Sequence, residues 1–314
     1  MIKHLRTAFF LFCLSFIILL WGGYKNVNRI LSMSRGNYFF EKTKASSALA
    51  YFRLNFPNNT TITLEKKENF WRIREADGYY ADFAKINSFM KLIFQATVYR
   101  ADYIDPEKLF FSVHDSLGIV SVDDQNQVLD TALIAPKNES NKFYYATLNG
   151  NNLLYQINGL FDISPFFSDW IQSPLLAIPD KDIKSIHTDK FHAYRSYPSD
   201  TIKLSETAQD VPQLQNLMNS LWYLSAIDVK RADHFNLQDY SLQKAYKITT
   251  FSGIIYDLNL FYNADEYWLS IALSSANLIT NHAQHFLNEN RMLYDGWYFR
   301  LAPNIGKTLA NFSL

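Results

Sequence analysis

The chain has 314 residues, of which 48% are hydrophobic and 16% aromatic. That length holds two modest domains or one large one, and that apolar content excludes a disordered chain. Lysine plus arginine and aspartate plus glutamate each number 30, so with a formal net charge of +0 no basic excess points to nucleic acid and no acidic excess to a solvating tail.

Lys3 and Arg6 precede a run, Thr7 to Tyr24, that carries no charge. That run, apolar from Ala8 to Trp21 apart from Ser15, is near the minimum for a spanning helix of roughly 20 residues. A cleaved signal peptide is the rival reading. Bulky Leu19, Leu20 and Trp21 before Gly22 and Gly23 argue against cleavage, and Leu11-Phe12 before Cys13 argue against a lipoprotein anchor. Residues 1–24 are therefore read as an uncleaved signal anchor. Lys25, Arg29 and Arg35 after the run nearly balance Lys3 and Arg6, so flanking charge does not orient it. Cys13 is the only cysteine, which leaves the body free of thiols, as suits an oxidising compartment. It also excludes an intramolecular disulfide and a CxxC pair. These features favour a body outside the cytoplasm.

Residues 25–47 read as a juxtamembrane linker. Ala48 to Asn55 reads as a first strand, and Pro57-Asn58-Asn59 as a turn. Thr61 to Lys66 and Phe70 to Arg74 form a hairpin, with Trp71 and Ile73 on its apolar face. Trp71 is accordingly expected in the core. Asp82 caps a helix with an apolar stripe of Phe83, Ile86, Phe89, Met90 and Ile93, followed by a strand from Thr97. Strands are expected over Leu117 to Val122, Val128 to Ala135, Phe143 to Leu148 and Leu153 to Ile157. Pro165 opens a short helix.

The pattern then returns with a shift of 131 residues, carrying Arg100-Ala101-Asp102 onto Arg231-Ala232-Asp233 and Phe52 onto Ile183. Asp210 and Pro212 start the second helix, whose stripe is Leu214, Leu217, Met218, Leu221 and Leu224. Strands are expected over Asp228 to Lys230, Lys247 to Ser252, Tyr256 to Tyr262, Tyr267 to Leu273 and Trp297 to Leu301. An extra helix lies between Ala276 and Arg291, and a last one follows Pro303. The fold class is α+β: two tandem copies of a strand-rich unit with a packed amphipathic helix, behind one amino-terminal transmembrane helix. The first repeat covers 48–178 and the second 179–314, with the seam at Leu175 to Asp182.

No Walker loop, GxGxxG, HExxH or GxSxG motif is present. No catalytic or cofactor-binding residue is assigned, and no cofactor is expected. His282 and His285 share a helix face and are metal candidates, with Glu289 nearest; a polar helix surface is the favoured reading. His187 and His192 flank a turn and are favoured as surface side chains. Arg100 with Asp102, and Arg231 with Asp233, are read as strand-end ion pairs. Tyr79-Tyr80, Tyr144-Tyr145 and Tyr240 offer rings for a sugar, against the plainer reading of cross-strand packing.

The hairpin ending in Phe70-Trp71-Arg72-Ile73, then Ala81-Asp82 at a helix start, resembles an uncharacterised bacterial family of membrane-anchored proteins. Phe161-Asp162-Ile163 and Trp170-Ile171, leading into Leu175-Leu176 and Ile183-Lys184-Ser185-Ile186, are similar to that family's seam. The family is a domain of unknown function, often encoded beside gliding-motility-type ABC transporter auxiliary genes. The resemblance implies a single-pass inner-membrane protein with a periplasmic or extracytoplasmic body and no known activity. The expected role is a non-catalytic accessory subunit of an ABC-type envelope transport complex. Its partners would be the membrane, through the amino-terminal helix, and transporter subunits, not nucleic acid. A cell-wall or glycan-binding module is the first alternative, and an enzyme the second.

Overall fold

Two large antiparallel sheets carry most of the described chain. The structure is a computed structural model and describes residues 36–312, except 106, 108, 110, 113, 137–142, 160, 177, 206–211, 265 and 277–280. The expected membrane span over 1–24 and the cap at Asp210 lie outside the described residues. Among the described residues no helix is long and apolar enough to cross a membrane.

The first sheet contains β1 (Leu49–Asn55), β2 (Thr61–Lys67), β3 (Phe70–Ile73), β4 (Tyr79–Tyr80), β5 (Thr97–Tyr103), β6 (Leu117–Asp123), β7 (Val128–Ile134), β8 (Tyr144–Leu148) and β9 (Leu153–Asn158). Its order is β4-β3-β2-β1-β6-β7-β8-β9-β5. The second contains β10 (Ile183–His187), β11 (His192–Tyr194), β12 (Lys203–Leu204), β13 (Ala226–Arg231), β14 (Ser241–Thr250), β15 (Ile254–Asn263), β16 (Glu266–Ser275) and β17 (Trp297–Leu301). Its order is β12-β11-β10-β14-β15-β16-β17-β13. The helices are α1 (Glu41–Ala45), α2 (Phe83–Gln95), α3 (Pro212–Trp222), α4 (Asn281–Asn290) and α5 (Pro303–Asn311).

Local chemistry explains the turns. Glu68, with φ of 57°, occupies the left-handed position between β2 and β3. Asp123 Oδ1 accepts from the backbone N–H groups of Gln125 and Gln127 at 3.0 and 2.7 Å, closing the β6–β7 turn. Asp82 Oδ1 accepts from Lys85 N–H at 3.0 Å and so starts α2. The segment after Pro165 is a short 3-10 turn, Phe167–Trp170, rather than an α-helix.

The chain divides into two compact units. The first is formed by the described part of Met1–Thr61 together with Asn87–Pro165. In it, Phe52 of β1 meets Phe89 of α2 edge to face, with ring centroids 5.0 Å apart. The expected linker over 25–47 ends earlier than its polar composition suggested. Phe39 and Phe40 are 1% and 0% exposed, and Gly36 N–H donates to the Val98 carbonyl at 2.8 Å. Thr43 of α1 is also buried. Its N–H and Oγ1 donate to Asp130 Oδ2 at 2.9 and 2.8 Å, and Oγ1 lies 2.5 Å from Ser121 Oγ. Asn149 Nδ2 donates to the other Asp130 oxygen at 3.2 Å. Burying two adjacent phenylalanines offsets the entropy of ordering this segment, and the carboxylate satisfies the polar groups carried in with them.

The second unit is Ile62–Ile86 with Phe166–Leu314. Tyr79 lies deep in it. Its ring packs edge-on against Trp297 and Phe299, at 5.0 and 5.5 Å, and its hydroxyl donates to the Leu293 carbonyl at 3.0 Å. Burial pushes the Tyr79 phenol above its ordinary range. Burial likewise pushes the Tyr294 phenol up to about 12, and that hydroxyl donates to the Leu175 carbonyl at 2.5 Å. Leu214, Leu217, Met218 and Leu221 of α3 are buried, as the helical spacing requires, and Leu224 is buried just past the helix end. On α5, Gly306 faces Tyr267 of β16. The α5 end is held by Tyr246, which donates to the Leu309 carbonyl at 2.5 Å, and by Lys244, which donates to the Phe312 carbonyl.

Two expected core side chains fall short. Trp71 is half-buried, because β3 is only four residues long and Trp71 pairs with Lys66 near the hairpin tip. Ile73, two residues along the same strand face, is the buried member. Phe83 is 79% exposed, since it opens α2 a turn before the buried stripe begins at Ile86.

Candidate functional site

In the second unit, buried and more exposed positions alternate along most of β14, β15 and β17, while Tyr267, Trp268 and Leu269 are buried in succession on β16. Tyr246, Ile248, Leu258, Leu260, Leu269 and Phe299 are buried on the face that receives α5. The residues between them point to the other face, where two groups of polar and aromatic side chains collect.

The first group lies where β13, β17 and β16 run side by side. Asp228 is opposite Arg300, and Arg300 is opposite Trp268. Glu266 Oε1 accepts from Arg300 Nη1 at 2.9 Å. Glu266 Oε2 accepts from Tyr240 Oη and Trp268 Nε1, each at 3.2 Å. The Trp268 hydrogen bond, assisted by Arg300 and Tyr240, holds the Glu266 carboxyl below its usual range. Asp228 lies on the other side of the guanidinium, 3.8 Å from Arg300 Nε, too long for a hydrogen bond. Desolvation dominates there and raises the Asp228 carboxyl. Phe235 covers the group, stacked on Tyr298 at 4.1 Å and on Tyr240 at 4.7 Å. Lys230 Nζ sits 5.2 Å from the Trp268 ring centroid.

This group braces the sheet rather than presenting a reaction centre. Both Glu266 oxygens are already engaged by Arg300, Tyr240 and Trp268. A general base must reach a substrate proton, and this carboxylate is committed to three donors within the fold. Sequence reading missed the group because its members come from four separated segments, and only Tyr240 had been singled out.

The second group is a row across strands. Lys247 of β14 stands opposite His187 of β10, which stands opposite His192 of β11. The two imidazole centroids are 5.6 Å apart. Lys247 reaches Asp257 of β15 at 3.5 Å.

The remaining sequence candidates separate cleanly. His285 is exposed and pairs with Glu289 at 3.0 Å along α4, and the His282 side chain lies outside the described residues. Among the described residues no three His, Cys, Asp or Glu side chains gather in a metal-holding group. Arg100 meets Asp102 at 2.7 Å within β5, along the strand rather than at its end, and Arg231 meets Asp233 at 3.0 Å at the end of β13. Of the tyrosines considered for sugar stacking, Tyr79 and Tyr144 are buried and unavailable.

A match to the family model described as "Domain of unknown function (DUF4340)" spans residues 71–248. The match covers more than half of the chain, and the chain belongs to this family. No curated protein and no solved structure matches it.

Proposed function

We propose that this member of the DUF4340 family is a membrane-anchored, extracytoplasmic accessory protein of an ABC-type envelope transport complex, acting through protein contacts rather than catalysis. The observation that carries the reading is the uncharged run from Thr7 to Tyr24, set directly before a body that takes hold of its own chain from Gly36 onward. Between Tyr24 and Gly36 a fully extended chain reaches at most about 40 Å. An anchor that close raises the effective concentration of the body for any partner in the same membrane. Exposed Phe166, Tyr197 and Tyr223 on the second unit supply aromatic side chains of the kind enriched at interfaces.

We further infer that the two sheets are copies of one topology. Reading β3-β2-β1-β6-β7-β8-β9-β5 against β12-β11-β10-β14-β15-β16-β17-β13 places each strand on its counterpart in both chain order and sheet order. A helix precedes β5 in one and β13 in the other, and the ion pairs Arg100–Asp102 and Arg231–Asp233 recur on these strands or at their ends. Duplication would explain why the apolar register persists at a shift of 131 residues while chemical groups do not.

The functional reading is tested by capturing the intact chain from detergent-solubilised membranes and identifying what co-purifies. Transporter permease or ATPase subunits are expected in stoichiometric amount. Recovery of peptidoglycan or another glycan, with no membrane protein, would favour a glycan-binding module instead.

A further inference from the structure

We propose that His187 and His192 form a two-histidine site for a borderline divalent cation of the Zn2+, Ni2+ and Cu2+ class, with water completing the coordination. The strand register sets the geometry. Thr188 N–H donates to the Phe191 carbonyl and Arg195 N–H to the Lys184 carbonyl, each at 2.9 Å. His187 and His192 therefore occupy a non-hydrogen-bonded position of the antiparallel pair, where facing side chains come closest. Both rings are exposed and lie edge to face with centroids 5.6 Å apart. A tetrahedral cation holding two imidazole nitrogens at ~2.0–2.1 Å would put the ring centroids about 5 Å apart. A small rotation of exposed side chains closes that difference without moving the backbone.

The neighbours suit a cation. Tyr194 flanks His192 on the same strand face, with ring centroids 5.9 Å apart, and limits where that imidazole can turn. Lys247, which stands opposite His187, is drawn toward Asp257 on the far side of the row. Imidazole nitrogen is the ligand this metal class prefers, whereas Mg2+ and Ca2+ prefer oxygen. A bound ion would staple β10 to β11 across their register.

The test titrates Zn2+ into the full chain in detergent by calorimetry, alongside His187→Ala, His192→Ala and His285→Ala. Both substituted strand positions are exposed, so the variants should fold as the parent does. The expected result is saturable binding by the parent and at least about tenfold weaker binding by His187→Ala and by His192→Ala, because each loses the chelate. His285→Ala should bind as the parent does. Zn2+ should also raise the melting temperature of the parent and of His285→Ala alone. The proposal is overturned if the parent takes up no Zn2+, or if either strand variant binds as tightly as the parent. It is equally overturned if His285→Ala is the variant that loses binding.

Discussion

Asp130→Ala should lower the stability of the first unit by about 3–5 kcal/mol, since each buried donor left without an acceptor costs about 1–3 kcal/mol. The Asp130 side chain is 1% exposed and accepts from Thr43 N–H, Thr43 Oγ1 and Asn149 Nδ2. Alanine removes all three acceptances at once, and a single water in the vacated space replaces only part of them. The loss is a large share of the roughly 5–15 kcal/mol that holds a domain together. Asp130→Asn should cost less. With its amide oxygen at the Oδ2 position it keeps both acceptances from Thr43, and only the bond from Asn149 Nδ2 is lost, because that donor then faces the NH2. Denaturant titration of the three proteins separates these outcomes. Equal losses for alanine and asparagine would show that the network's hydrogen bonds do not set the stability.

Gly306→Ala should also destabilise, although the same exchange on an exposed helix would stabilise by about 1 kcal/mol. A Cβ at this position would lie 2.2 Å from Tyr267 Cγ and 2.4 Å from Tyr267 Cβ. Those atoms sit at the root of a buried side chain on the central part of the sheet, so they cannot swing aside as a flexible tip would. The helix must lift instead, and overpacking of this kind typically costs about 1–3 kcal/mol, occasionally more. Lifting α5 also strains the hydrogen bonds from Tyr246 to Leu309 and from Lys244 to Phe312. The expected sign is therefore a lower unfolding midpoint, outweighing the propensity gain. Restoring space with Gly306→Ala plus Tyr267→Ala should not recover the parent's stability, because the ring itself is then lost from the core. A raised midpoint for the single variant would mean that α5 does not pack this closely.

Much of the strand plan was legible because the apolar pattern runs over long segments. The predicted strands over Leu117 to Val122 and Leu153 to Ile157 fall within one residue of β6 and β9 at each end. Leu214 to Leu221 read correctly because leucine and methionine side chains at three-four spacing mark a helix, although Leu224 lies just beyond its end at Trp222. Short elements were less legible. Trp71 belongs to a four-residue strand, where an apolar residue near the tip has too few neighbours to be covered. Phe39 and Phe40 were concealed within a polar stretch, because the partners of that stretch, Tyr155 against Phe39 and Asp130 on Thr43, are distant in sequence. Lys244 is buried in step with Tyr246 and Ile248, but the strand expected from Lys247 begins too late to include it. Spacing put His187 and His192 on either side of a turn, but only the strand register makes them a facing pair. The Glu266–Arg300 group could not be read at all, since periodicity is local and that group is assembled by the sheet.

The central claim is that the body lies outside the cytoplasm, held by the run from Thr7 to Tyr24. Protease added to intact spheroplasts tests it most directly, with the body followed by an antibody to its carboxy-terminal part. The account predicts that the body is digested without lysis and that a small membrane-embedded fragment remains. Full protection in intact spheroplasts, with digestion only after the membrane is broken, would contradict it.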